Sequence, residues 1–480
     1  MHVCRVAPGA APDEHGGSIM LLTDESLEQT ARDHLLLHFA RNGSTAPLLV
    51  LERGEGPYVF DTEGARYLDG LSSLFCAQLG YSYGEEMATV AGAQLQGLAF
   101  STVWGAAHPT AIELSATLAE LMPGDLDHVF FTGGGSESVE SAWKLVRQYH
   151  VANGEPQRTK AIARDVAYHG VTLGALSFTG VPKMKEPFGR PAIDVTHVST
   201  TNRFRAADGE DEAAFCRRLL DELEQTIQAE GPDSVAMIIM EPVQNAGGCL
   251  TPPEGYWQGV REIADRHGIL LVSDEVICGF GRLGEWLGVE RYGVVPDLAT
   301  TAKGITSAYA PMGAVMVSDK VAAPLYEADR TLLHGITFAG HPLCAAIALR
   351  NLEIFRREGI LQHVRDTEPY MEAKLNELKA LPIVGDVRGA GFFWALELVK
   401  DDEDTRLDAD EREQLLRGFL PGRLLEAGVI ARPDDRGDAV LHLAPPLIAD
   451  HAFVDDLVAR VGDVLTDAGR ELERITSKGA

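Results

Sequence analysis

Residues 269–286, ILLVSDEVICGFGRLGEW, and residues 294–312, VVPDLATTAKGITSAYAPM, decide the fold. The first stretch opens on an apolar run, Ile269-Leu270-Leu271-Val272, that stops abruptly at Ser273-Asp274-Glu275. The second carries Asp297-Leu298-Ala299-Thr300-Thr301 and stops at Ala302-Lys303-Gly304. A continuous apolar run bounded by polar or glycine residues suits a strand buried on both faces, as in a parallel sheet. Asp274 and Lys303 then both stand just past strand ends, and in open α/β sheets ligands collect at the carboxyl ends of strands. Spacing alone leaves two readings. One is an Asp–Lys ion pair, or two unrelated strand-end polar residues. The other is a cofactor site, in which the lysine forms a Schiff base with an aldehyde and the aspartate keeps a pyridinium nitrogen protonated.

Further strands flank this centre. Val129-Phe130-Phe131-Thr132 runs into Gly133-Gly134-Gly135-Ser136, and Glu137 to Tyr149 then repeats apolar residues at helical spacing. A glycine turn at a helix start lets backbone approach an anion, though it matches neither a Walker A motif nor a full G-x-G-x-x-G. Lys160 to Arg164 reads as a strand leading to Tyr168-His169-Gly170, and Val235 to Met240 as a buried strand ending at Glu241. Pro311 to Asp319 returns as a strand, and the Gly-rich loop Gly335 to Pro342 precedes a helix over Leu343 to Glu353. Nearer the start, Ser26 to Phe39 predicts a helix with Leu35, Leu36 and Phe39 on its apolar face, and Leu48 to Asp69 a meander of short antiparallel strands. Ala111 to Leu121 is helical in period, and Phe100 to Pro109, which carries Trp104, is punctuated by Gly and Pro. Beyond Glu353, helices and short strands alternate as a small α+β domain ending near residue 470, with Asp401 to Glu413 as a charged surface loop.

Composition narrows the function. A net charge of −29 over 480 residues argues against nucleic acid or an anionic membrane as partner, since both need a basic face. The six cysteines include no C-x-x-C pair, so a zinc ribbon or redox motif is not expected, and His34 and His38 lack a third ligand; no metal is expected. The first residues, MHVCRVAPGAAPDEHGG, hold Pro, Gly, Asp and Glu where a signal peptide needs an apolar core, and no stretch reaches membrane-spanning length. The expectation is a cytoplasmic protein with a disordered start over residues 1–22.

LLVSDEVICGFGRLGEW followed by PDLATTAKGITSAYAPMGAVMVSD resembles the class III pyridoxal-phosphate aminotransferases, closest to the omega-amino-acid, amine and polyamine:pyruvate transaminases. The likeness spans roughly residues 30 to 460. It implies an aspartate-aminotransferase-like fold (fold type I): a mostly parallel mixed sheet flanked by helices, with a smaller α+β domain from both chain ends. On that scheme residues 23–74 begin the small domain, 75–342 form the large cofactor-binding domain and 343–480 complete the small one. The resemblance makes Lys303 the Schiff-base lysine and Asp274 the partner of the ring nitrogen, both catalytic. It packs Val276 on one ring face and Tyr168 flat against the ring, and gives the phosphate to Gly135 and Ser136. Thr337 would reach the phosphate of a neighbouring subunit, so a homodimer is the minimum unit, with higher oligomers open.

Substrate contacts follow from the same likeness. Phe75 takes the place of a substrate-facing aromatic, Trp104 joins it, and Glu241 stands near the substrate entrance. Arg432 stands where the family carries a switching arginine, and the following Pro433-Asp434-Asp435-Arg436-Gly437 looks like a mobile surface turn, with Arg436 as a substitute. The implied reaction moves an amino group from a primary amine or omega-amino acid to a 2-oxo acid, pyruvate first, by a ping-pong mechanism. The rivals are an aminomutase or decarboxylase on the same fold, and a non-enzymatic or dinucleotide-binding protein using the glycine turn.

Overall fold

The computed structural model describes residues 24–44, 47–207, 209–327 and 329–479, so the disorder expected over residues 1–22 lies outside the described residues. The first helix, Asp24–His34, stops short of the expected Phe39 because the Asn42 side-chain amide takes both the N–H and the C=O of Leu37, at 2.8 and 3.1 Å. Such a local side-chain loop competes with helix continuation. It leaves Leu35, Leu36 and Phe39 exposed rather than aligned on a helical face. Strands β1 (Leu51–Glu55), β2 (Tyr58–Asp61) and β3 (Arg66–Asp69) form the expected antiparallel meander.

The main sheet comprises β4 (His128–Thr132), β5 (Lys160–Arg164), β6 (Asp194–Val198), β7 (Val235–Met240), β8 (Leu270–Asp274), β9 (Leu298–Thr301) and β10 (Gly313–Val317), in the order β4-β10-β9-β8-β7-β5-β6. β5 to β9 pair in parallel, while β10 runs antiparallel to both its neighbours, β9 and β4. Every residue of β7 and β8 is buried, which is why both read as unbroken apolar runs. Their side chains divide between two cores. Met237, Ile239, Leu270 and Val272 pack with Val139, Ala142 and Val146 of helix Gly135–Ala152. Ile238, Met240 and Leu271 pack with Trp257, Val260 and Ile263 of helix Tyr256–His267. Each such aliphatic side chain contributes about 1.5–3 kcal/mol on burial, so the sheet is a rigid floor for whatever its strand ends carry.

The C-terminal part adds β11 (Val384–Ala390), β12 (Phe393–Leu398), β13 (Val429–Ile430), β14 (Arg432–Asp434) and β15 (Val440–Leu443). β11, β12, β15 and β14 form an antiparallel sheet in that order, while β13 pairs in parallel with β3 and so joins the two chain ends in one sheet. The result is the expected architecture, a mostly parallel mixed sheet flanked by helices with a smaller α+β part from both ends. Two boundaries differ. The charged loop over 401–413 stops at Asp408, whose carboxylate caps a helix at Ala409–Arg412 and is answered by Glu411 in a capping box. The last helix, His451–Gly479, runs past residue 470. Among the described residues no helix is long and apolar enough to cross a membrane.

Candidate active site

A cavity of about 440 Å³ opens at the carboxyl ends of the parallel strands. Its walls are Gly133 to Ser136 after β4, Tyr168 and His169 after β5, Glu241 after β7, Asp274 and Val276 at the end of β8, and Lys303 after β9, with Cys76 from the segment after β3.

Asp274 ends β8 and is buried. Its Oδ2 lies 2.7 Å from His169 Nδ1, and its Oδ1 accepts from Thr300 Oγ1 at 3.0 Å and from the Val276 N–H at 3.1 Å. A carboxylate only accepts, so the buried His169 ring carries a proton on Nδ1 and donates it to Asp274. His169 Nε2 has no partner in the protein. Asp274 is thus tied to His169 and Thr300, not to Lys303. The sequence drew no role for His169, because its partner lies across the sheet on another strand; its place in the loop five residues after the end of β5 was the only signal.

Lys303 sits in a short 3₁₀ turn, Lys303–Ile305, with φ of 45°. A side-chain-bearing residue in the left-handed region costs about 1–3 kcal/mol and persists only where its surroundings enforce it. Here the buried Asn351 amide donates to the carbonyls of Gly304 (2.9 Å) and Ile305 (3.1 Å). Burial lowers the proton affinity of the Lys303 amine, against the pull of Cys76, Asp274 and Glu241 nearby. A larger share of free amine makes the group a better nucleophile and base near neutral pH.

The glycine turn faces the same cavity. Gly133 gives its N–H to Glu137 at 2.7 Å, and Ser136 Oγ accepts from the Val171 N–H at 3.1 Å. A Cβ on Gly135 would come within 2.9 Å of Val276 Cγ1, so only glycine lets the turn close against Val276. The 18-residue helix Gly135–Ala152 presents its N-terminus here, with the free N–H groups and positive dipole end that attract an anion. Glu241 is buried and raised above its usual range by that burial; it accepts from the Tyr168 N–H (3.2 Å) and the Asn245 N–H (3.0 Å). It therefore holds the Tyr168 loop as well as lining the cavity.

The rim departs from expectation. Arg432 is not on a mobile loop: it starts β14 and pairs in register with His442 of β15, so only its side chain can swing. Asp434 closes the strand, and the bend begins at Arg436, whose guanidinium lies 5.3 Å from the centre of the Tyr168 ring. Phe75 does not line the cavity. It is buried in the core, edge-on to Phe393 (5.5 Å between centres) and His442 (6.0 Å), and the next residue, Cys76, reaches the cavity instead. Trp104 lies on a separate cavity of about 890 Å³ with Leu333 and Ile336, and Thr337 is exposed beside it, so the single chain does not bring either to the strand-end site. Among the described residues no cluster of His, Cys, Asp or Glu could hold a metal ion.

A strand-end lysine, a strand-end aspartate backed by a histidine, and an anion-binding turn in one cavity of this sheet define a pyridoxal-phosphate enzyme of the aspartate-aminotransferase type. The chain belongs to the class-III aminotransferase family, whose model matches residues 39–465. It is 46% identical over 446 residues to a Mycobacterium tuberculosis protein called a probable aminotransferase, covering 93% of this chain and 96% of that one. It is 36% identical to the putrescine–pyruvate aminotransferase of Pseudomonas aeruginosa, over 89% and 93% of the two chains. Among solved structures, a thermostable (S)-enantioselective omega-transaminase from Thermomicrobium roseum superposes with a TM-score of 0.90 at 40% identity, over 93% and 99% of the chains. The Pseudomonas jessenii omega-transaminase in complex with PMP superposes with a TM-score of 0.88 at 34% identity, over 93% and 99%. The protein is an aminotransferase that uses pyridoxal phosphate and transfers an amino group from an amine to a keto acid. The residues present fit that cofactor: amine, carboxylate and anion cradle share one cavity, with Tyr168 on its wall.

Proposed function

We propose that the donor is a primary amine or omega-amino acid, that the acceptor is pyruvate, and that the two half-reactions alternate by a ping-pong mechanism. The observation that carries the reading is the meeting of Lys303, Asp274 and the Gly133–Ser136 turn in one cavity. The putrescine–pyruvate relative supports the choice of substrates. Bound pyridoxal phosphate supplies an aldehyde and an electron-withdrawing ring. Lys303 Nζ would attach it and would serve as the base that moves the proton at the substrate carbon. Asp274, oriented by His169 and Thr300, would keep the ring nitrogen protonated. Gly135 and Ser136 would hold the phosphate, Val276 and Tyr168 would contact the ring, Glu241 steadies Tyr168, and Arg432 would meet the acceptor carboxylate. The apolar face bearing Trp104, Leu333 and Phe338 is exposed in the single chain; a second copy covering it would bring Thr337 to the partner's phosphate and make the homodimer the active unit.

The test is a donor screen with pyruvate present or withheld. Alanine should form in step with the aldehyde or ketone product and only when pyruvate is supplied. Conversion of the donor without any acceptor would mean an aminomutase or decarboxylase, and turnover with every 2-oxo acid but pyruvate would remove the acceptor assignment.

A further inference from the structure

The rim beside Tyr168 holds more charge than one switching arginine requires. Arg432 and Arg436 converge on Asp434, whose side chain is 3% exposed. They share it unequally. Arg436 Nε contacts both carboxylate oxygens, at 3.0 and 2.8 Å, its Nη2 donates to Oδ2 as well, and its backbone N–H donates to Oδ1 at 2.9 Å. Arg432 reaches Asp434 Oδ2 only at 3.7 Å, beyond hydrogen-bond distance, and its side chain is 31% exposed against 13% for Arg436. The neighbouring acid, Asp435, is taken by Arg417 at 2.8 Å. His442 does not compete for Asp434: its Nε2 bonds the Asn245 carbonyl at 2.9 Å, and its Nδ1 stands 3.8 Å from Asp434 Oδ2.

Building on the pyruvate reading, we infer that Asp434 sets the acceptor class by committing Arg436, so that the site recognises a 2-oxo acid with one carboxylate and rejects one with two. Arg432 is left with unfilled donors for a single carboxylate. A second carboxylate entering the rim finds Arg436 already bidentately paired, and the Asp434 charge beside it. An unpaired anion in a partly desolvated site is costly, so specificity arises from this repulsion as well as from the Arg432 contact. Burial first, then the Arg436 charge, lowers the proton affinity of Arg432, and Asp434 pulls partly the other way. Asp434 is thus a positioning residue for one arginine and a neutraliser of the other.

The experiment compares kcat/KM for pyruvate and 2-oxoglutarate, with one amine donor, in the wild-type holoenzyme, Asp434→Asn and Arg436→Gln. Wild type should prefer pyruvate. Asp434→Asn keeps the shape but frees Arg436 and removes the repelling charge, so kcat/KM for 2-oxoglutarate should rise about tenfold or more while that for pyruvate changes far less. Arg436→Gln hands Asp434 to Arg432, so KM for pyruvate should rise about tenfold with the amine half-reaction little changed. A 2-oxoglutarate value that stays put, or falls in parallel with pyruvate, overturns the assignment, as does a wild type that uses both acids equally. If Asp434→Asn does not fold, as judged by its melting curve, an unchanged pyruvate KM in Arg436→Gln overturns it alone. A wild type inert to pyruvate sinks the acceptor reading and this inference with it, whereas a wild type active on pyruvate with an unmoved ratio sinks only the inference.

Discussion

Asp274 and Asp434 are both buried carboxylates, the first lining the cavity with Tyr168 and the second bound to the arginine over the Tyr168 ring, yet their partners differ in kind. Asp274 is held by three separate single donors: a histidine Nδ1–H, a threonine hydroxyl and a backbone N–H. Asp434 is held by a guanidinium. Burial alone would raise Asp434, but Arg436 more than reverses this and holds it well below the usual carboxylate range. Single donors from separate elements fix a carboxylate in space and leave it free to meet a visiting cation. A guanidinium fixes it and takes up its oxygens, so it has little left for a cation yet still repels a second anion. The floor of the site is thereby prepared for a positive group, such as a protonated ring nitrogen, whereas at the rim the carboxylate is taken by Arg436 and Arg432 is left without a hydrogen bond to it.

The largest effect should come from breaking the floor at Lys303. If Lys303 has the proposed role, Lys303→Ala removes both the attaching amine and the base, so turnover should fall on the order of 10³-fold or more. In the wild type, borohydride should leave the cofactor on the peptide containing Lys303, as read by mass spectrometry. An adduct on another lysine would move the role there. Since φ at Lys303 is strained, the alanine variant should keep the turn, held by Asn351.

A smaller loss should follow from turning the floor carboxylate into an amide. Asp274→Asn retains the hydrogen bonds from Thr300 and Val276 but offers no charge to the ring nitrogen, so the proton-transfer step should slow by about 10²–10³-fold with cofactor still bound. His169→Leu removes only the donor behind Asp274 and should cost less, about ten- to a hundredfold. Stopped-flow traces of the amine half-reaction check both, and a wild-type rate in Asp274→Asn would refute the electron-withdrawing role.

The same contrast explains what was legible in the sequence. Asp274, Lys303, Glu241 and the glycine turn stand where apolar runs stop, and a run's end is a local signal. His169 and Asn351 were silent because their importance lies in partners far along the chain, on other strands or turns. Phe75 and Trp104 were named by likeness alone; the first is packed into the core by its own strained segment, with positive φ at Ser72, Ser73 and Phe75, and the second faces outward. At the rim, a string rich in Pro, Asp and Gly reads as a turn, but cross-strand pairing with β15 makes its first half a strand. Local composition could not reveal that pairing, nor which of two arginines Asp434 would claim.

The smallest expected effect is also the most selective. A carboxylate-free amine has nothing to offer Arg432, and a fixed cation beside it would be left unpaired in a desolvating site, which is costly. Arg432 is fixed only at its backbone, by the β14 pairing, while its side chain is partly exposed and not hydrogen-bonded to Asp434. It can therefore turn outward for the amine and inward for the acid, where a carboxylate would accept bidentately. Arg432→Ala should raise KM for pyruvate about ten- to a hundredfold. The single-turnover rate with a carboxylate-free amine should change by no more than about threefold, since no interaction of that substrate is removed. Equal losses in the two half-reactions would mean that Arg432 supports structure through β14. Unchanged use of pyruvate would pass the role to Arg436 and erase the distinction drawn between the two arginines.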